Sequence, residues 1–291
     1  MPGFQLCDVA AGDGITIRAA VAGDGPPLLL LHGHPQTHVT WRKIAPELAK
    51  HFTVIAADLR GYGDSSKPDG GDRHIAYSKR AMAGDMVAVM QAFGHRRFGV
   101  VGHDRGARVA HRMALDFPDA VSKLALFDIV ATATMYALTN KEFATRYFWW
   151  FFLIQPAPFP ERMIGADPEY FLRKHVEGQN KVAGATEAAA FAEYLRCYSD
   201  PATRHAICED YRAAATIDLD HDAADAEARI QAPLLALWGG QGTVGALYDV
   251  IALWREKALQ VEGRALDCGH TLQEERPAET LQEILSFFPR R

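Results

Sequence analysis

The sequence predicts an α/β protein: a mostly parallel sheet flanked by helices, with a helical cap inserted late in the sheet order. Three observations predict it. Short strand-like runs, Leu28–Leu31, Phe52–Ala57, Phe98–Val101 and Lys123–Phe127, alternate with helix-period segments, the pattern of a parallel sheet covered on both faces. After Asp128 this pattern gives way to a long, aromatic, proline-punctuated stretch, and it resumes at Pro233–Gly239. The polar residues that stand out all follow the carboxyl ends of strands, where sheets of this kind bind ligands.

Taken in order, Leu28–Leu31 opens into His32-Gly33-His34-Pro35, and Phe52–Ala57 ends in Asp58-Leu59-Arg60-Gly61-Tyr62-Gly63. Apolar residues at helical spacing cover Lys79–Phe93. Phe98–Val101 runs straight into Gly102-His103-Asp104-Arg105-Gly106, and a helix pattern follows from Ala107 to about Asp116. Lys123–Phe127 ends at Asp128. The next stretch is largely helical and carries Tyr147-Phe148-Trp149-Trp150-Phe151-Phe152, broken by Pro156, Pro158, Pro160, Pro168 and Pro201. We therefore divide the chain into a first core part (1–132), a cap (133–216) and a second core part (217–291). Thr280–Phe288 reads as an amphipathic closing helix. No internal repeat or low-complexity linker interrupts this order.

The composition sets limits. Of 291 residues, 48% are hydrophobic and 23% charged, enough apolar material for a real core. A net charge of −5 with no basic run excludes nucleic acid as the expected partner. The first ten residues contain Asp8 and lack the basic start and apolar run of a signal peptide. The apolar runs are too short to cross a bilayer. Cys7, Cys197, Cys208 and Cys268 show no C-x-x-C spacing. Reduced thiols in a cytoplasmic protein are the expectation.

The chemistry starts at Gly102-x-Asp104-x-Gly106. A strand-to-helix turn with glycines at these positions is a nucleophile elbow, which lifts one side chain above the sheet. Here that side chain is a carboxylate. A carboxylate attacks saturated carbon, displaces a leaving group and becomes an alkyl ester, which water cleaves at the aspartate carbonyl. That water needs a base, and the base needs an orienting acid. Of twelve histidines, His270 in Asp267-Cys268-Gly269-His270 falls late in the chain, where the order nucleophile, acid, histidine places it. His32, His51, His95 and His221 are read more simply as surface or turn residues, with His32 a candidate brace for its own loop. The loop after Trp238, Gly239-Gly240-Gln241-Gly242-Thr243-Val244, has no carboxylate, so the acid falls to Asp128. The competing role for Asp128 is a helix N-cap. The main-chain N–H groups of His34 and Arg105 are the candidate oxyanion hole. Arg105 and Arg108, three apart, share a helix face beside the nucleophile and match a substrate carboxylate.

These residues carry a resemblance. The chain is similar to the hydrolytic haloacetate (fluoroacetate) dehalogenases of the α/β-hydrolase superfamily. The match spans His32–His38, Asp58–Gly63, Gly102–Arg108, Leu126–Ile129, Gln155–Pro158, Cys208–Arg212 and Gly269-His270. The elbow with both arginines is the most specific piece. The resemblance implies Asp104 as nucleophile, His270 as base, Asp128 as its acid, and Arg105 and Arg108 as a carboxylate clamp. It implies a halide site from lid residues, with Trp150 and Tyr211 matching the family's tryptophan and tyrosine. The family's halide histidine is replaced by Trp149, and the phenylalanine of its H-G-F-P by His34. An indole offers one N–H and no charge, so chloroacetate and bromoacetate are expected to be better substrates than fluoroacetate. No cofactor and no metal are implied, the partner is a small anionic 2-haloacid, and family analogy gives a homodimer.

Three alternatives stand beside this reading. An epoxide hydrolase also uses an elbow aspartate under a lid, with two tyrosines as proton donors; Tyr211 is one candidate and Tyr147 another. A metallo-hydrolase is raised by His32-Gly33-His34, but His38 has the wrong spacing and residue 36 is not aspartate. A ligand-binding relative without activity has no need of His270.

Overall fold

The computed structural model describes residues 1–288. Eight strands form one sheet: β1 (Gln5–Gly12), β2 (Ile15–Ala22), β3 (Pro27–Leu31), β4 (Thr53–Ala57), β5 (Phe98–His103), β6 (Val121–Phe127), β7 (Leu234–Gly239) and β8 (Val261–Leu266). Their spatial order is β1-β2-β4-β3-β5-β6-β7-β8. β1 and β2 are antiparallel to their neighbours, and every other pairing is parallel.

The four central strands are the ones visible as apolar runs, because each is buried on both faces. Successive side chains go to opposite sides. Leu29, Leu31, Ile55, Val100 and Leu126 pack with Met86, Val109 and Met113. Leu28, Leu30, Val54, Val101 and Phe127 pack with Trp41, Leu272 and Ile284 on the other face. Removing a side chain such as the fully buried Leu30 by substitution with alanine costs about 2–5 kcal/mol. The hairpin β1–β2 was not expected. β1 buries only Val9, and β8 buries only Leu266, so neither edge strand shows a continuous apolar run.

Between β6 and β7 the described residues form only helices, from Thr132–Ala137 to Ile217–Ala224. Three prolines read as breaks, Pro160, Pro168 and Pro201, lie in the first turns of helices. Pro168 and Pro201 each occupy the first turn, where a missing N–H costs nothing, behind Asp167 and Asp200, whose carboxylates accept the N–H groups of Tyr170 and Ala202. These helices lie over the carboxyl ends of the strands. The cap residues Tyr198 and Tyr211 reach His34 after β3, and Tyr194 donates to Glu274 after β8. No helix among the described residues is long and apolar enough to cross a membrane. The closing helix is Pro277–Phe287.

Candidate active site

β5 delivers Asp104 at the central position of the sheet. The helix expected from Ala107 begins at Asp104 itself and runs to Asp116. Asp104 has φ +44°, left-handed backbone that a non-glycine residue adopts at a cost of about 1–3 kcal/mol and that recurs at functional sites. Two glycines make room for it. A Cβ on Gly106 would lie 2.4 Å from the His32 carbonyl, and one on Gly33 would lie 2.5 Å from the Asp104 Cβ. The His34 N–H, an expected oxyanion donor, points at Asp104 Oδ2 at 3.0 Å. Arg105 follows in the first turn of the helix, where main-chain N–H groups lack helical partners. Burial alone raises the Asp104 pKa, but the fields of His270, Arg108 and Arg105 win and hold it down at about 2. The carboxylate is therefore charged at any working pH.

Asp128 directly follows β6, also with positive φ (+53°). It caps no helix: the next one starts at Thr132 behind Ala131. Its Oδ2 meets His270 Nδ1 at 2.5 Å, and its Oδ1 accepts the Gly239 N–H at 2.8 Å. The loop after β7 thus supplies a backbone donor in place of a carboxylate. Burial lowers the His270 pKa, but the hydrogen bond and charge of Asp128, with Asp104 beyond it, raise it on balance above its ordinary value. The loop carrying His270 is held from several sides. The His270 carbonyl lies 2.8 Å from His103 Nε2, and its N–H donates to the Gln179 carbonyl of the cap at 3.2 Å. Glu275 accepts the N–H groups of Gly269 and Thr271, and also those of Lys181 and Val182 in the cap.

The two arginines are unlike each other, and this corrects the expectation of two free guanidinium forks. Arg105 is fully buried and already bound. Its Nε and Nη2 donate to the Asp210 carboxylate at 2.8 and 2.9 Å, and only Nη1 lacks a partner. Asp210 also receives Lys79 and the Tyr62 hydroxyl. Arg108 is equally buried but has no carboxylate of its own among the described residues. Its Nη1 donates to the Val130 carbonyl (3.1 Å) and Thr132 Oγ1 (3.0 Å), its Nη2 approaches Met135 Sδ, and its Nε has no partner. Burial lowers its pKa from the ordinary arginine value, partly offset by Asp104.

Above Asp104 six rings close on one another. Trp150 meets Tyr211 (6.3 Å between centroids), Tyr211 meets His34 (5.5 Å), and His34 meets His175 (4.6 Å). His175 meets Trp149 (4.4 Å), Trp149 meets Tyr147 (4.9 Å), and Tyr147 stacks on Trp150 (6.3 Å). Arg105 lies over Tyr211 and Arg108 over Trp150, at 4.2 and 4.7 Å. So Trp149, Trp150, Tyr211 and the His34 side chain are brought together. Beyond this ring a cleft of about 260 Å³, lined by Arg146, Tyr147, Trp149, Lys174, Lys181 and His270, leads outward. A larger groove, about 820 Å³ around Glu169, Arg173 and Phe191, lies in the cap and shares only Lys181 with this cleft.

The sequence reading missed His175, Asp210, His103 and Glu275. No local motif marks His175 in its helix. Asp210 had a signal, since a buried Arg105 demands a carboxylate partner. His32 is corrected: it is fully buried, with Nε2 accepting the Leu59 N–H at 3.0 Å and Nδ1 on the Gly33 carbonyl at 2.9 Å. Those contacts make it the brace of its loop. With both its nitrogens engaged, His32-Gly33-His34 is not arranged as a ligand pair for a metal ion. No group of three metal-binding side chains occurs among the described residues.

The alpha/beta hydrolase fold family matches residues 26–277. The chain belongs to the α/β-hydrolase family. Within it, this α/β hydrolase is haloacetate dehalogenase-like: it is 44% identical to fluoroacetate dehalogenase from Burkholderia sp. over 290 residues, 98% of this chain and 94% of the relative. It is also similar to the soluble epoxide hydrolase of Corynebacterium sp. (strain C12), at 33% identity over 95% of this chain and 94% of that one. A crystal structure of a Salmonella enterica protein, named provisionally as an acyltransferase, superposes with a TM-score of 0.98 at 63% identity, covering 99% and 95% of the two chains.

Proposed function

We propose that this hydrolase cleaves the carbon–halogen bond of a small 2-haloacid through an ester on Asp104. One observation carries the reading: Arg108 is a buried guanidinium without a carboxylate partner, beside the nucleophile in a closed ring of aromatic groups. A buried charge without a hydrogen-bonded carboxylate is expensive, and a substrate carboxylate supplies that partner. Arg105 adds its unpartnered Nη1. With Oδ2 held by the His34 N–H, Oδ1 of Asp104 attacks the carbon next to the carboxylate. The C–O bond forms as the halide leaves with its electron pair. Holding the acid beside the nucleophile makes a bimolecular displacement a positioned one, an effect worth up to roughly 7–11 kcal/mol. His270, oriented by Asp128, then takes a proton from water, which attacks the ester carbonyl. The His34 N–H receives the developing oxyanion, and as the ester C–O bond breaks the departing glycolate oxygen takes the proton back from His270.

The leaving-group preference follows from charge. The pocket away from the arginines offers only neutral donors: burial lowers His34 to about 3 and His175 well below its ordinary value. Fluoride, small and strongly hydrated, needs stronger donors than these. Chloroacetate and bromoacetate are therefore turned over faster than fluoroacetate. A halide-release panel over the three acids tests this, and preference for fluoroacetate refutes it.

A second reading keeps the same nucleophile. Tyr147 and Tyr211 both belong to the ring, as two proton donors to an epoxide oxygen would. The relative from Corynebacterium is an epoxide hydrolase. Buried Arg108, with no carboxylate hydrogen-bonded to it, favours an anionic substrate instead. Styrene oxide assayed beside chloroacetate separates the two. In His270→Asn protein the first step survives on the true substrate, and the trapped ester is read by mass spectrometry.

A further inference from the structure

The cap helix Pro168–Gln179 buries two side chains, Leu172 and His175, while Arg173, Lys174 and Glu177 around them are exposed. A hydrophobic residue would fill the position of His175 without the cost of burying an imidazole. His175 is 6% exposed, and only one of its nitrogens is satisfied. Nε2 meets the Gln179 side-chain amide at 2.6 Å. Nδ1 is buried and has no hydrogen-bond partner; among the described residues no other ring of the six contains such an atom. With the Gln179 amide nitrogen facing Nε2 and its Oε1 buried without a partner, the amide N–H is donated to Nε2 and the ring proton sits on Nδ1. A buried N–H of this kind needs an acceptor that the protein does not provide.

Its place in the ring says what that acceptor is. Both arginines sit at one pole, over Tyr211 and Trp150. His175 sits at the other, between His34 and Trp149. When a substrate carboxylate occupies the cationic pole, the halide must depart into donors elsewhere. On this proposed dehalogenation, which the inference rests on, we propose that His175 donates its Nδ1–H to the departing halide and so sets leaving-group specificity. It gives up no proton: the C–X electron pair leaves as a solvated halide ion, and the imidazole remains neutral throughout.

The test uses the full chain with His175→Phe, which removes the donor, and His175→Asn, whose side-chain amide can replace it. Two readouts are taken: kcat for halide release from fluoro-, chloro- and bromoacetate, and bromide binding followed by quenching of tryptophan fluorescence. Loss of one neutral hydrogen bond lowers kcat for chloroacetate about tenfold in His175→Phe. The loss is larger for fluoroacetate and smaller for bromoacetate, and His175→Asn stays within about threefold of wild type. Bromide binding weakens in His175→Phe and is kept in His175→Asn. Equal losses for all three acids, losses shared by both variants, or unchanged bromide affinity in His175→Phe overturn the assignment. If the wild type releases halide from no haloacetate, the dehalogenase reading fails, while the bromide comparison still decides whether His175 meets a halide.

Discussion

Replacing Arg108 with methionine separates a charge kept for substrate from one kept for the fold. In the free enzyme Arg108 is 3% exposed and hydrogen-bonds Val130 and Thr132, with no carboxylate opposite it. Losing those two bonds costs about 1 kcal/mol each. Removing a buried guanidinium returns several kcal/mol of desolvation, less the attraction of the Asp104 carboxylate that partly offsets it. The two effects nearly cancel, so stability stays within about 2 kcal/mol of wild type or rises. Catalysis behaves otherwise. Truncating one partner of a buried charge pair costs about 2–5 kcal/mol; a loss of about 3 kcal/mol is roughly a 150-fold fall in kcat/KM. Arg105→Met gives the contrast. It strips the Asp210 carboxylate of its two guanidinium hydrogen bonds and costs about 3–5 kcal/mol of stability besides activity. The assay compares chloroacetate with neutral chloroacetamide, alongside denaturant unfolding of each variant. An Arg108→Met enzyme that keeps its kcat/KM on chloroacetate, or loses equally on the amide, refutes the argument.

Other outcomes follow from the same geometry. Activity falls on the acid side with an inflection above 6.5, because His270 must be neutral and its pKa is raised; a pH–rate profile checks this, and an inflection well below 6.5 contradicts it. Stability also falls in acid, for the opposite reason. His34, His103 and His111 are held neutral by burial, each lowered from 6.5 to about 3, so their contribution is full above 6.5 and is lost as pH falls towards 3. By about pH 4.5 each removes on the order of 2–3 kcal/mol, measurable by urea unfolding across pH. Gly106→Ala, whose Cβ meets the His32 carbonyl at 2.4 Å, displaces the elbow and lowers both melting temperature and turnover; an unchanged enzyme would show that the turn relaxes freely. Glu275→Gln replaces an acceptor of four N–H groups with one that is half donor. It slows hydrolysis of the ester more than its formation, as pre-steady-state halide release against glycolate formation will reveal.

The central strands and the elbow were legible because local rules govern them. A doubly buried parallel strand must be apolar throughout, and a strand-to-helix turn this tight leaves no room beside Gly102 and Gly106. Asp128 was legible by elimination, since the loop after β7 holds no carboxylate, although its backbone bond from Gly239 was not. The edge strands β1 and β8 were not legible, because solvent on their outer sides removes the apolar signal. The pocket was only half legible. Trp149, Trp150 and Tyr211 stood in recognisable runs, but His175 comes from a separate helix, and only tertiary folding places it against Trp149 and His34. The pairing of Arg105 with Asp210 is likewise a contact between elbow and cap, 105 residues apart in sequence. It is what turns two equivalent arginines into one structural and one free charge.

The account depends most directly on an oxygen atom of Asp104 ending up in the product. A single turnover of chloroacetate with excess enzyme in heavy-oxygen water measures it. Glycolate from that turnover should carry ordinary oxygen, and the peptide containing Asp104 should carry the label. Labelled glycolate with an unlabelled Asp104 peptide would mean that water attacks the substrate carbon directly, and that the carboxylate never bonds to it.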